Sequence, residues 1–248
     1  MRGDTHIVGG LLVKQKLRLP TALLYTMINP SLPNAIAVLL LYDTLTIRSS
    51  QIGSVLPDYD QPYRDNCPNE LPEKTGDMLY KVLRKVGASH RGPHTHNVDL
   101  WIILLGTPTL LLLGTFINTK EDMWFYLFIQ GITLLATTLS HVFLDTLTVM
   151  GVNTSYFKYK ITKKVNPVRI IPHDRKMYET KRIKLGKFNT PFFKLKEMEF
   201  EESSWGRTGG GWEDTLYRKM INEASKDQGF KRKLIEVIIV ALVTISLH

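Results

Sequence analysis

His141 and Asp145 stand four residues apart in Ser140-His141-Val142-Phe143-Leu144-Asp145, a spacing that puts an imidazole and a carboxylate on one face of a helix. Three further segments carry the same residue types. Thr5-His6 lies near the start, Gly53-Ser54-Val55-Leu56-Pro57-Asp58-Tyr59-Asp60 is a turn-rich acidic segment, and His90-Arg91-Gly92-Pro93-His94-Thr95-His96 precedes a long apolar run. Imidazole nitrogen and carboxylate oxygen are the usual zinc ligands where cysteines are lacking, and carboxylates also suit manganese or iron. The candidate ligand set is His6, Asp58, Asp60, His90, His96, His141 and Asp145, more than one catalytic zinc needs, so one or two divalent ions are conceivable. Each cluster alone has an ordinary explanation. Pro57-Asp58 with Asp60 makes a common turn or cap, a histidine-rich loop can simply be exposed, and a His-Asp pair can be a structural hydrogen bond. Their conjunction carries the expectation of a metal site.

The chemistry such a site supports is metal-assisted hydrolysis. A divalent ion lowers the pKa of a bound water toward about 7 and polarises a phosphoryl or acyl oxygen, and no serine or cysteine arrangement offers another nucleophile. Asp58 or Asp60 can be ligand or base, and Arg91 is placed to neutralise a phosphate beside the metal, with a plain surface or headgroup contact as its alternative. The single cysteine, Cys67, excludes an intramolecular disulfide and has no base beside it in sequence. The glycine run in Thr208-Gly209-Gly210-Gly211-Trp212 lacks the downstream Lys-Ser/Thr of a phosphate loop and is read as a flexible joint.

The elements that must position these groups are apolar runs separated by charge. Mean hydropathy of −0.08 averages over a sharp partition. Val98 to Asn118 holds no charge after Asp99 and has the length of a bilayer-crossing helix. After a short break at Thr119 to Asp122, a second run extends from Met123 to about Met150, so the two are expected to form a tight helical hairpin. Trp101, Trp124 and Tyr126 sit near the helix starts, where amphipathic rings favour the headgroup zone. An ionisable pair such as His141 and Asp145 in such a run is costly and faces a partner, a cavity or a metal. Thr21 to Ile47 is apolar but interrupted by Pro30 and Pro33, which predicts a hairpin of roughly half-length pieces. Leu234 to Leu247 follows Lys231, Arg232 and Lys233 and can insert partly, lie in the interface or complete a span.

Lysines and arginines concentrate in Arg48 to Ser89 and Gly151 to Arg232, on one side of the predicted hairpin. That side is expected to be the cytoplasm of a multi-pass inner-membrane protein, with the metal site facing it. The formal net charge of +9 then follows from topology and from attraction to the anionic headgroups of membrane lipids. Nucleic acid is disfavoured as a partner because no stacking-rich or helix-turn-helix pattern accompanies the charge, and charge alone names no protein partner. The apolar stretch after His6 is interrupted by Lys14, Lys16 and Arg18 and no small-residue cleavage site follows, which does not fit a cleaved signal.

The four ordered motifs, Thr5-His6, Gly53 to Asp60, His90 to His96, and His141 through Leu144-Asp145, Thr148 and Gly151, resemble those of the YdjM-type membrane-bound metal-dependent hydrolases. The resemblance covers roughly the first 150 residues, together with the apolar runs between the motifs. It implies a hydrolase, and through a distant similarity to zinc-dependent phospholipases C and single-strand nucleases it suggests phosphodiester chemistry. The third motif departs from the family pattern by one extra residue, so the second family histidine corresponds to His96, by its preceding Thr95, or to His94. Asn97 replaces a serine often found after that histidine. Beyond Gly151, Asn153 to Lys160 replaces the expected apolar segment and suits a short strand or an interfacial hairpin.

Tyr156 to Lys196 is basic and punctuated by Pro167, Pro172 and Pro191, favouring short strands and loops. Glu213 to about Asp227 is predicted to be an amphipathic helix with Trp212, Leu216, Met220, Ile221 and Ala224 toward one side. The expected architecture is mainly α. A membrane-embedded helical bundle carrying the metal site spans 1–152, a basic cytoplasmic region with short strands and the amphipathic helix spans 153–232, and a C-terminal membrane-associated helix spans 233–248.

Overall fold

The computed structural model describes residues 3–60, 73–85, 87–88, 92–147, 152, 155–162, 182–185, 188–189, 194–195, 198–201, 211–227 and 229–247. The described chain is mainly helical. Helices α1 (Gly3–Ile28) and α2 (Leu32–Val55) form an antiparallel pair. The chain leaves the helix between them where Pro30 and Pro33 predicted a break, and a proline is tolerated at the start of α2 because the first-turn N–H it lacks has no intrahelical acceptor. The two pieces are not half-length, however. They run for 26 and 24 residues, because α1 continues through Lys14 and Arg18, whose charges are matched inside the bundle. Lys14 Nζ lies 3.1 Å from Asp43 Oδ1, and Arg18 Nε donates to Glu236 Oε2 at 2.7 Å.

A 3-10 turn, Leu56–Asp60, follows α2, and α3 spans Glu73–Lys85. Next comes one helical column. It comprises α4 (Val98–Trp101), a π-turn (Ile102–Gly106) and α5 (Thr107–Thr119). The widened turn precedes Pro108, whose ring would clash with the preceding turn of an ordinary helix and which has no N–H to bond back. Lys120, in the left-handed region at φ 58°, ends α5 by donating its backbone N–H to the Phe116 carbonyl at 2.8 Å. Helix α6 (Asp122–Thr146) then returns antiparallel.

The column, of 22 residues, and α6, of 25, have mean hydropathies of 2.1 and 1.6 and are long and apolar enough to cross a membrane. At 1.5 Å per residue the column is about 33 Å long, close to the roughly 30 Å hydrocarbon core of a bilayer. Its outer face exposes Ile102, Ile103, Leu104, Leu110 and Leu111, a stripe that water would penalise. The inner faces of α1, α2, α5 and α6 bury Tyr25, Val38, Tyr42, Phe116, Phe125 and Ile129.

One end of the bundle is tied by Tyr25, whose hydroxyl donates to Asp122 Oδ1 at 2.6 Å, and by Lys120 Nζ, which donates to the Ile28 carbonyl. The start of α1, the ends of α2 and α6 and the start of the column therefore gather at the opposite end. There the helices approach closely. A Cβ added at Gly53 would meet the Leu134 carbonyl of α6 at 2.6 Å, so the backbones of α2 and α6 pack together only because Gly53 has no side chain.

Tyr156–Thr162 forms a short helix, α7, rather than the strand or hairpin read from Asn153 to Lys160. Asp99 decides this, by accepting from Ser155 Oγ at 2.8 Å and from the backbone N–H groups of Tyr156 and Phe157 at 2.8 and 3.1 Å. A carboxylate on the free N–H groups of a first turn favours helix. Farther on, Arg182–Leu185 lies antiparallel to Met198–Glu201 and Phe188–Asn189 to Lys194–Leu195, as short backbone segments. The amphipathic helix, α8, spans Gly211–Asp227. It buries Leu216, Met220 and Ala224, while Ile221 is exposed and so leaves the predicted apolar face. Trp212's side chain lies outside the described residues. The last helix, α9 (Phe230–Ser246), packs against α1 and α2 through Val240 and Glu236. Cys67 lies outside the described residues.

Candidate metal centre

Four ligand-type side chains from three parts of the chain meet where the helix ends gather. Asp58 comes from the turn after α2, His96 from the loop before α4, and His141 and Asp145 from the last turns of α6. One donor atom of each lies within 4.8 Å of all the others. His96 Nε2 is 3.4 Å from Asp58 Oδ1 and 3.3 Å from Asp145 Oδ2. His141 Nε2 is 3.5 Å from Asp58 Oδ1 and 3.6 Å from Asp145 Oδ2. Donor atoms sharing a small cation with bonds of about 2.0–2.1 Å are about 3.3–3.4 Å apart in a tetrahedral shell, so these four separations are compatible with one shared ion.

The state of His141 strengthens this fit. Its Nδ1 lies 2.6 Å from the Ser54 carbonyl, an acceptor only, so Nδ1 carries the proton and donates. In neutral imidazole Nε2 is then a bare lone pair. Nε2 is fully buried and faces two carboxylate oxygens, which when ionised are acceptors only. Three acceptors aimed at one point repel unless a cation lies between them or a proton moves in. The donor set therefore fits a divalent ion, and the buried cluster can hold one.

Around the four lie groups that orient them. Thr95 Oγ donates to Asp60 Oδ2 and stands 3.1 Å from His96 Nδ1. A carboxylate and a hydroxyl thus hold the far side of the His96 ring, the position from which such groups fix tautomer and raise ligand basicity. Trp101 Nε1 donates to the Thr95 carbonyl at 2.6 Å, so this indole ties the histidine loop to the column. Asn97 secures the same loop. Its amide donates to the Pro93 carbonyl at 2.9 Å, and its oxygen caps α4 by accepting from Leu100 N–H at 2.8 Å.

His6, from the first turns of α1, stacks on His141 with ring centroids 3.7 Å apart and places Nε2 3.3 Å from Asp145 Oδ1. Asp145 thus turns one oxygen to the four-donor cluster and the other to His6.

Of the predicted ligands, the structure brings together Asp58, His96, His141 and Asp145, with His6 beside Asp145 and Asp60 behind His96. His90, Arg91, Thr148 and Gly151 lie outside the described residues. Between the two histidines left open by the extra residue, it is His96 that enters the cluster. His94 is half-buried and packs edge-on against Tyr156 and Tyr159. Ser54, Thr95 and Trp101 were not singled out as supports, because backbone acceptors and a hydroxyl give no signal until the fold places them against a ring nitrogen.

The side chains of His96, His141 and Asp145 are at most 1 % exposed, whereas Asp58 is 20 % exposed. The cluster reaches solvent on the Asp58 side. Burial by itself disfavours an ionised Asp58, but the surrounding His141, His96 and His6 hold its carboxyl well below the ordinary carboxylate range. For His96, burial disfavours the charged ring, and bonding to Asp145, Asp58 and Asp60 outweighs it and holds the ring well above the usual histidine value. Without an ion, then, the carboxylates retain protons on imidazole.

The family model described as YdjM inner membrane protein matches residues 1–157 of the 248. This stretch includes α1, α2, the column, α6 and every member of the cluster. No curated protein and no solved structure matches the chain.

Proposed function

The chain belongs to the YdjM inner membrane protein family, and from this membership and the His/Asp cluster we propose that it is a membrane-bound metal-dependent hydrolase. The observation that carries this reading is the buried convergence of His141 Nε2 and His96 Nε2 with one oxygen each of Asp58 and Asp145. The ion is zinc by donor type, with manganese or iron as alternatives.

When bound, the metal supplies a nucleophilic water at neutral pH and polarises the scissile bond. The chain's own residues do the rest. His96, His141 and Asp145 hold the ion from the buried side, with the rings fixed by Asp60, Thr95 and the Ser54 carbonyl. Asp58, on the open side, is ligand in the resting site or takes up the proton of the attacking water, the two roles its position allows. Arg91, adjacent in sequence to the histidine loop, is assigned to the substrate's negative charge.

The substrate class is a phosphodiester or a lipid-linked ester. The cluster lies at the ends of the two apolar helices, so a bilayer-resident substrate reaches it without leaving the membrane. The concentration of lysines and arginines in 48–89 and 151–232 supports placing this end in the cytoplasm.

A second reading has its own support. Four protein ligands complete a tetrahedral shell, as in a structural site, and the chain would then be a scaffold whose basic region recruits a partner. The test is metal content and cleavage of a panel of phosphodiester and lipid-ester substrates by detergent-purified wild type, Asp58→Ala and His141→Ala. Hydrolysis predicts cleavage by wild type only. Full metal content in wild type with no cleavage of any panel substrate favours the scaffold.

A further inference from the structure

Helix α7 is held beside the metal-bearing end of the bundle by contacts on two sides. Asp99, in the first turn of the column, caps it, and Tyr156 and Tyr159 close over His94, two residues before His96. These contacts fix which way its remaining side chains point. Phe157 and Ile161, one helical turn apart, are 47 % and 82 % exposed, and Lys158 and Lys160 are exposed around them. Two exposed apolar groups with an exposed lysine next to each in sequence are disfavoured in water and suited to the boundary between headgroups and acyl chains.

The position of that boundary follows from the column. Its exposed apolar stripe begins at Ile102, three residues after Asp99. The helix capped by Asp99 therefore sits where the lipid-facing surface starts.

We infer that α7 is an interfacial anchor that seats Phe157 and Ile161 among the acyl chains and Lys158 and Lys160 on anionic phospholipid headgroups, fixing the metal cluster at headgroup depth. The inference rests on the membrane placement of the column and not on hydrolysis, so either can fail alone.

The test uses the full chain with Cys67→Ser and a single cysteine at Phe157→Cys or, separately, Ile161→Cys. Each cysteine carries an environment-sensitive fluorophore. A Lys226→Cys label on α8, at a side chain 76 % exposed, is the aqueous reference. In phosphatidylglycerol vesicles both α7 labels should shift to the blue and be quenched by lipids bearing a nitroxide at the headgroup, while the reference stays in water. Lys158→Glu and Lys160→Glu should each lower the seating equilibrium constant at least about fivefold, the factor for losing one basic residue worth roughly 1 kcal/mol near an anionic surface. Aqueous spectra at both α7 positions in vesicles would overturn the inference and leave this face to a soluble partner. Seating that is equal in phosphatidylcholine and indifferent to the charge reversals would overturn the headgroup assignment.

Discussion

Asp145 divides its carboxylate, with Oδ1 lying 3.3 Å from His6 Nε2 and Oδ2 3.3 Å from His96 Nε2. His6 thus supports a ligand oxygen from outside the four-donor cluster. Loss of such an outer partner lowers metal affinity about 10- to 100-fold, whereas loss of a donor abolishes tight binding. Competition titration against a chelator should place His6→Ala in the first class and His141→Ala in the second. Equal affinities for His6→Ala and wild type would remove His6 from the site.

Metal binding should release protons. The carboxylates hold His96 well above its ordinary 6.5 without an ion, and an ion displaces that proton. Affinity therefore rises with pH through neutrality, and calorimetry in two buffers of different ionisation enthalpy at pH 7 should show net proton release. The sign for the metal-free protein follows from linkage. The raised His96 stabilises fully below 6.5 and loses its contribution as pH rises through the folded value. The depressed Asp58 stabilises above 3.8 and loses its contribution as pH falls through the folded value. Chelator-treated protein should thus gain most from this pair between those ordinary values. No proton release on binding would contradict the assignment.

Gly53→Ala should damage the site from a distance. Its Cβ would press on the Leu134 carbonyl, and relief requires α2 to move away from α6, carrying Ser54 off His141. Overpacking of this kind costs about 1–3 kcal/mol. Thermal unfolding in detergent should show that loss together with weaker metal binding. Unchanged affinity would mean that the Ser54 carbonyl does not orient the ring.

The ion pair of Arg18 with Glu236 spans 218 positions of sequence, and both side chains are 2 % exposed. Glu236→Leu removes one of the two carboxylates on the buried guanidinium, leaving Asp43 at 3.2 Å, and should cost up to about 3 kcal/mol, the lower end of the range for a buried charge left wholly uncompensated. Adding Arg18→Met should restore part of that, read from the same melting curves. A double variant no better than Glu236→Leu would show that the pair is not coupled.

Much of the site was legible in the sequence because its ligands fall on short-range patterns. His141 and Asp145 repeat at one helical turn, and the turn-forming residues around Asp58 and His96 mark places where chain ends can converge. The two apolar helices were legible from length and lack of charge. What escaped depended on partners distant in sequence. Lys14 and Arg18 read as interruptions because Asp43 and Glu236, which neutralise them, lie on other helices. Asn153 to Lys160 reads as a strand or hairpin from its aromatic and basic residues, while Asp99, which caps Tyr156–Thr162 into a helix, lies 57 positions before Tyr156.

The central claim is that Asp58, His96, His141 and Asp145 hold a divalent ion, and elemental analysis of protein purified without added metal tests it most directly. At least one tightly bound ion per chain is expected in wild type and is lost in His141→Ala variants that keep the wild-type helical content. Equal metal content in wild type and His141→Ala, or none in either after incubation with zinc, manganese and iron in turn, would contradict it.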